Sequence, residues 1–392
     1  MQRRTLFASS ILGAFAASSV SAKTQNLPAL ASSVTDEVVP TAAKPVLLNF
    51  NENSLGMSAK AKDAVVKGLA TAFRYPDQPK VDLTNAIAKF YGVEADLVTL
   101  GAGSSEILQA VVQAQVEKAR HAGKKVQLVE PVPTFGIVAG YAAALNVPVV
   151  DVPVKMDTLE VDVPALKKAV DSFDGVSIVY YCNPNNPTST VTPATVLNGW
   201  IEEAAAKKAP VFFLLDEAYA EYVTDPKFVS GVELVKKGLT NLTVARTFSK
   251  LYALAGLRIG FGISAKPTAK LIGDFVSVDS INFGAAVAAT ASLSDTTFRQ
   301  LSLETTALSR AIVEKTLKEL GVEYIPSQAN FIFHRCKGQP GEYKAAMAKL
   351  NVIVGREFAP IVGWNRLTLG TPGEMKAWVK AVKAVHNKQG LI

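Results

Sequence analysis

The sequence predicts an α/β fold with a large domain, built on a mostly parallel sheet flanked by helices, and a smaller α+β domain after it. Two observations carry this. From about residue 46 to residue 275, short apolar runs alternate with longer amphipathic ones, the pattern of strands joined by crossover helices. Most of the short runs are apolar nearly throughout, as strands covered on both faces must be. The strand candidates are 126–129, Val176–Cys182, Val211–Asp216, 242–246 and 258–263. Intervening segments such as 105–121 and 194–208 carry apolar residues at helical spacing and end near Gly or Lys. Beyond residue 280 the small-residue stretch Phe283–Leu293 leads into a long helix over 305–320, which Gly321 closes. A strand at 329–335, a helix over 343–350, a strand at 365–369 and a helix over 374–386 complete the smaller domain.

With 392 residues, 49% of them hydrophobic and 19% charged, the chain can bury a large core and reads as globular. Its net charge of +7 comes from 41 Lys and Arg scattered among 34 acidic residues. No basic run exceeds a pair, so nucleic acid is not an expected partner. The two cysteines, Cys182 and Cys336, suggest neither a disulfide framework nor a zinc site, and the three histidines are not spaced as ligands.

Residues 1–22 have the layout of an export signal: Arg3 and Arg4 precede an uncharged stretch over 6–20 that ends in small residues. The arginine pair resembles the twin-arginine type, which carries folded proteins across the bacterial inner membrane. The expectation is a periplasmic protein; a retained transmembrane helix and a basic N-terminus on a cytoplasmic chain are the alternatives. Residues 23–45, rich in Ala, Ser, Thr, Val and Pro, read as a linker or extended arm, with regular structure starting near Val46.

In open α/β sheets ligands sit at the carboxyl ends of the strands, and here those ends are rich in polar residues. One apolar run ends in Asn183-Pro184-Asn185-Asn186-Pro187-Thr188, another in Asp216-Glu217-Ala218-Tyr219, a third in Arg246-Thr247-Phe248-Ser249-Lys250. In this order they resemble the fold-type I pyridoxal-phosphate-dependent aminotransferases, and within them the histidinol-phosphate aminotransferase-like group. Asn51-Glu52-Asn53, Arg74-Tyr75-Pro76-Asp77, Gly103-Ser104-Ser105-Glu106, Pro133-Thr134-Phe135, residues 253–260 and Ser327-Gln328-Ala329-Asn330-Phe331 extend the likeness over nearly the whole chain after the signal.

The resemblance implies a transaminase with pyridoxal 5'-phosphate as cofactor and Lys250 as the lysine that forms an imine with its aldehyde. A primary amine suits that linkage and, once released, can carry the proton at the substrate α-carbon. Asp216 can pair with the pyridine nitrogen and keep it protonated, so that the ring accepts the carbanion's electrons; capping the following segment is the plain structural alternative. By resemblance Tyr219 and Asn186 hold the cofactor's 3-oxygen, and Phe135 stacks on the ring where the family more often has tyrosine, unless it only fills the core. Ser104 and Ser105 precede a helix whose first amides suit an anion, though they could simply cap it. With Thr247, Ser249 and Arg258 they form the expected phosphate cradle. Tyr75 would by resemblance reach that phosphate from a neighbouring subunit, implying a homodimer.

Arg366 and Arg356 match the family's two C-terminal arginines, and a planar guanidinium suits a carboxylate or phosphate; a structural surface role is the alternative for Arg366. Asn53 and Asn330 complete the substrate-binding set. The implied division of the chain is a segment over 46–75 joining the small domain and the dimer interface, a large cofactor domain over 76–280 and a small domain over 281–392.

Three residues depart from the family pattern: Ser54 replaces a proline, Ser189 a glycine and Phe135 a tyrosine. Export is unexpected for an enzyme of histidine biosynthesis, so the group's name does not give the substrate. The expected reaction moves an amino group from an L-amino acid, aromatic or imidazole-bearing, or from a histidinol-phosphate-like amine, to a 2-oxo acid. A decarboxylase or racemase on the same fold, and a non-catalytic binding protein, are the alternatives.

Overall fold

Twelve strands appear among residues 32–337 and 340–392, the part of the chain described by a computed structural model. They are β1 Val46–Leu48, β2 Val98–Gly101, β3 Val126–Val132, β4 Val149–Pro153, β5 Val176–Cys182, β6 Val211–Asp216, β7 Leu242–Thr247, β8 Gly260–Ser264, β9 Tyr324–Ile325, β10 Phe331–Arg335, β11 Val352–Val354 and β12 Trp364–Thr368. The export segment over 1–22 lies outside the described residues. Among those described, no helix is long and apolar enough to cross a membrane.

Seven strands form one sheet in the order β2-β8-β7-β6-β5-β3-β4. From β7 to β4 every pairing is parallel, while β8 runs antiparallel to both β7 and β2. The central strands are apolar because helices cover both faces, and successive side chains point to opposite sides. Along β5, Ile178 and Tyr180 pack under helix Ser104–His121 with Leu128 and Leu214. Val179 and Tyr181 face the other way, with Phe213, Leu215 and the helix Ala194–Ala206. Each such fully buried side chain contributes roughly 1.5–3 kcal/mol.

The second assembly is smaller. An antiparallel sheet in the order β12-β10-β9 and a parallel pair, β1 with β11, pack on the helices Thr296–Glu319 and Pro372–Gln389. Trp378, Tyr343, Leu48, Val354 and Leu367 are buried in its core.

Several segments differ from expectation. Regular structure starts before Val46: a short helix, Ser32–Thr35, and the residues after it lie along the last helix. Val38 N donates to Gly373 O, Lys376 Nζ donates to Thr35 O, and Lys380 pairs with Glu37. The long helix starts at Thr296, not near 305, with Asp295 capping Phe298 N; its polar first turns hide its period. Arg258, read as the start of a strand, sits before β8 in a left-handed conformation, φ 57°.

Candidate active site

The polar ends of β5, β6 and β7 are side by side because the register makes them so: Cys182 is opposite Asp216, and Asp216 opposite Ala245. They floor a cavity of about 270 Å³ whose wall includes Ser104, Ser105, Phe135, Asn186, Asp216, Tyr219, Thr247, Ser249, Lys250, Arg258 and Arg366. These residues come from segments far apart in the sequence and meet only in the fold.

Asp216 is 3% exposed. Its Oδ2 accepts from Tyr180 OH at 3.0 Å and its Oδ1 from Ala218 N at 3.1 Å. Burial raises its pKa to about 6, against the pull of those donors and of Lys250. Its bond to Ala218 N is local, but the N-cap of the short turn that follows, Ala220–Tyr222, is Tyr219 and not Asp216. Tyr180 lies two residues before Cys182 on the same strand, and that period of two is the signal by which it could have been found.

Lys250 follows β7 and donates from Nζ to Phe50 O at 3.1 Å, with the Tyr219 ring 5.9 Å away. Burial first, then the charges of Arg366 and Arg258, bring its pKa down to about 8 against the opposing pull of Glu52 and Asp216. A half-buried amine with a depressed pKa is more nucleophilic at neutral pH than an ordinary lysine.

Ser104 and Ser105 open the helix Ser104–His121, whose N-cap is Gly103 with no side-chain cap bond. Neither hydroxyl therefore does the capping work, and both line the cavity beside the helix N-terminus. Arg258 is held by Ala255 O at 3.0 Å. Its guanidinium crosses Gly103 so closely that a Cβ there would lie 2.3 Å from Nη2, and Gly103 has φ +79°. Gly103→Ala should therefore push the arginine off the helix end and weaken cofactor binding about tenfold or more, readable as a dissociation constant by titration. Thr247 Oγ1 accepts from Ser249 N at 3.1 Å and lies 2.9 Å from Ser249 Oγ.

Arg366, in β12, is 8% exposed and not a surface arginine. Its Nη1 donates to Asn186 Oδ1 at 2.6 Å and its Nη2 to Asn49 O at 2.8 Å. Burial brings its pKa down to about 10; Tyr219 opposes that shift and the Arg356 charge adds to it. Arg356 is itself exposed and off the cavity wall, stacked on the Phe358 ring at 4.4 Å, which Arg366 approaches from 4.9 Å.

Three other expected residues also stand off the wall. Asn53 Nδ2 donates to Leu251 O at 2.9 Å and also to Ser302 Oγ. Asn330 is buried and donates to Asn51 O at 2.9 Å. Tyr75 is 77% exposed. Conversely, Phe50, Asn51, Glu52, Cys182 and Ala218 line the cavity without having been singled out for it. Ser189, where glycine was expected, holds the left-handed turn itself at φ 59°, fully buried and donating to Thr188 O at 2.6 Å.

Beneath the site Arg246, 6% exposed, pairs with Glu217 at 3.0 Å and Glu221 at 3.3 Å. Arg246→Met would leave the buried Glu217 carboxylate and the partly buried Glu221 carboxylate without their cation. Unfolding should show a loss of about 3–5 kcal/mol.

The donor set fits pyridoxal phosphate. A nucleophilic amine, a buried carboxylate in need of a cation, a helix N-terminus beside Arg258 and the open face of Phe135 match an aldehyde, a pyridine nitrogen, a phosphate and an aromatic ring.

Comparison with known proteins agrees. Residues 43–382 match the family described as aminotransferase class I and II. Histidinol-phosphate aminotransferase 1 of Cupriavidus pinatubonensis is 34% identical over 346 residues, 86% of this chain and 87% of that protein. A crystal structure named as a candidate histidinol-phosphate aminotransferase of Erwinia carotovora atroseptica is 38% identical, with a TM-score of 0.84 over 90% of this chain and 99% of that one. The Sinorhizobium meliloti histidinol-phosphate aminotransferase, solved with pyridoxal-5'-phosphate, is 24% identical and shares the fold at a TM-score of 0.76 over 88% of this chain and 91% of that one. With the lysine, the carboxylate and the helix end meeting in one cavity, this chain belongs to the class I and II aminotransferases.

Proposed function

We propose that the protein is a dimeric, exported transaminase acting on an amino acid, or a related amine, whose acidic group is held by Arg366. Pyridoxal phosphate is the cofactor; when bound it supplies the electron sink that makes the α-carbon proton of an amine substrate removable. Lys250 and Asp216 in the wall of one cavity are the observation that carries the reading.

Each residue then has a defined task. Asp216 holds the proton on the pyridine nitrogen. Ser104, Ser105, Thr247, Ser249 and Arg258 hold the phosphate, Asn186 and Tyr219 the 3-oxygen, and Phe135 covers a ring face. Lys250 Nζ would hold the cofactor's aldehyde carbon and, when free of it, is the base placed to take up and return the substrate's α-proton. Arg366 has donors fixed by Asn186 and Asn49, so its plane is set before a carboxylate or phosphate arrives.

The dimer is supported by an exposed apolar strip, Val66, Leu69, Phe73 and Tyr75, each more than half exposed. Its sign in solution is a mass twice that of the chain, lost together with cofactor affinity in Tyr75→Ala. Export is supported by the paired arginines of the leader; finding the untagged protein, leader intact, only in the cytoplasmic fraction would remove it.

The central experiment is a screen of amino donors, following the visible spectrum of the loaded enzyme and the appearance of the oxo acid. Release of carbon dioxide, or loss of chirality without amino transfer, would contradict transamination.

A further inference from the structure

We propose that Asn51 is a positioning residue that presents Tyr219 to the cavity as a hydrogen-bond donor, an inference that rests on the pyridoxal-phosphate reading above. The hydrogens around Asn51 account for themselves. Its backbone N–H donates to Thr368 Oγ1 at 2.9 Å, which leaves that hydroxyl's hydrogen for Asn51 Oδ1, 3.2 Å away. With its oxygen so engaged, the amide turns Nδ2 towards Tyr219 and donates to the phenol oxygen at 3.1 Å. Asn186 Nδ2 approaches the same oxygen at 3.5 Å. A phenol oxygen that accepts from these amides keeps its own hydrogen for another partner, and Tyr219 lines the cavity.

The backbone points the same way. Asn51 is 1% exposed and has φ 55°, a left-handed conformation that non-glycine residues seldom adopt. Asn330 Nδ2 pins it by donating to Asn51 O at 2.9 Å. The turn so formed brings the carbonyl of Phe50 to Lys250 Nζ, at 3.1 Å. One buried residue thus orients the phenol through its side chain and the amine through the carbonyl that precedes it.

Two variants separate these parts. Asn51→Gly keeps the left-handed turn and removes the amide. Asn51→Asp keeps the shape but only accepts at neutral pH, so it draws the Tyr219 hydrogen away from the cavity; it also carries the test where the glycine variant unfolds. The readouts are the pH midpoint of the visible absorption of the bound cofactor and the cofactor dissociation constant. Both variants should raise the midpoint by about one pH unit and weaken binding about tenfold, the worth of one charge-assisted hydrogen bond. Tyr219→Phe should do the same, and combining it with Asn51→Gly should add nothing more. Additive shifts, or an unmoved midpoint in a stably folded Asn51→Gly, overturn the proposal alone. A native chain that gains no visible absorption with pyridoxal phosphate overturns it together with the cofactor reading.

Discussion

Lys250→Ala should reduce amino-group transfer by about 10⁴-fold or more, because one side chain supplies both the covalent link to the cofactor and the carrier of the α-proton. Borohydride should fix pyridoxal phosphate to residue 250 of the native chain and to nothing in the variant. A variant that still turns over many times would refute the role. The pH behaviour of the native amine is a second measurement. With a pKa of about 8, roughly one molecule in ten has a neutral amine at pH 7, against about one in several thousand for an ordinary lysine. Capture of the cofactor by the apoprotein should accelerate about tenfold per pH unit and level off near pH 8; a rate still climbing at pH 10 would show the amine to be unperturbed.

The same shift bears on stability. The folded pKa lies below the unfolded one, so the half-buried ammonium costs the apoprotein stability below pH 8, and that cost fades as pH rises from there towards the ordinary lysine value. Lys250→Met, which keeps the aliphatic stem and removes the charge, should unfold at a higher temperature than the native apoprotein at pH 7. The native fold thus carries a stability cost at the residue its chemistry uses.

What could be read from the sequence divides along physical lines. β5 and β6 have the limits read from their apolar runs, because central strands covered on both faces must be apolar from end to end. β2 and β4 carry no such signal: they form the two edges of the sheet, and β4 alternates Val with Asp151 and ends in Pro153. β1 and β11 pair over three residues only, with Val46 opposite Val352, a contact no local pattern announces. The site followed the same rule. Asp216 and Lys250 stand at strand ends, where polar residues after an apolar run are conspicuous. Asn51, Asn330 and Thr368 act through hydrogen bonds between segments hundreds of residues apart. Arg356 matches the family pattern, yet only the fold reveals that it and Arg366 both pack on the Phe358 ring while Arg366 alone lines the cavity.

Asp216→Asn should lower kcat by about 10²–10³-fold with little loss of fold, and the reason lies in what asparagine retains. Its amide oxygen can still accept from Ala218 N, and the Tyr180 hydroxyl can turn to accept from the amide nitrogen, so the hydrogen bonds of the native carboxylate at 3.1 and 3.0 Å survive. What disappears is the charge that holds a proton on the cofactor's ring nitrogen, a loss of preorganised electrostatic stabilisation. The apoprotein provides a control independent of turnover. Burial raises the folded pKa of Asp216 to about 6, above its unfolded value. The stability this contributes is present at low pH and lost as pH rises through about 6. The melting temperature of the native apoprotein should therefore contain a downward component over that window that the asparagine variant lacks. In the loaded enzyme the order reverses: the native carboxylate gains a cationic partner and should melt well above the variant at pH 7. A variant that kept native kcat with cofactor bound would mean that this carboxylate does not set the protonation of the ring.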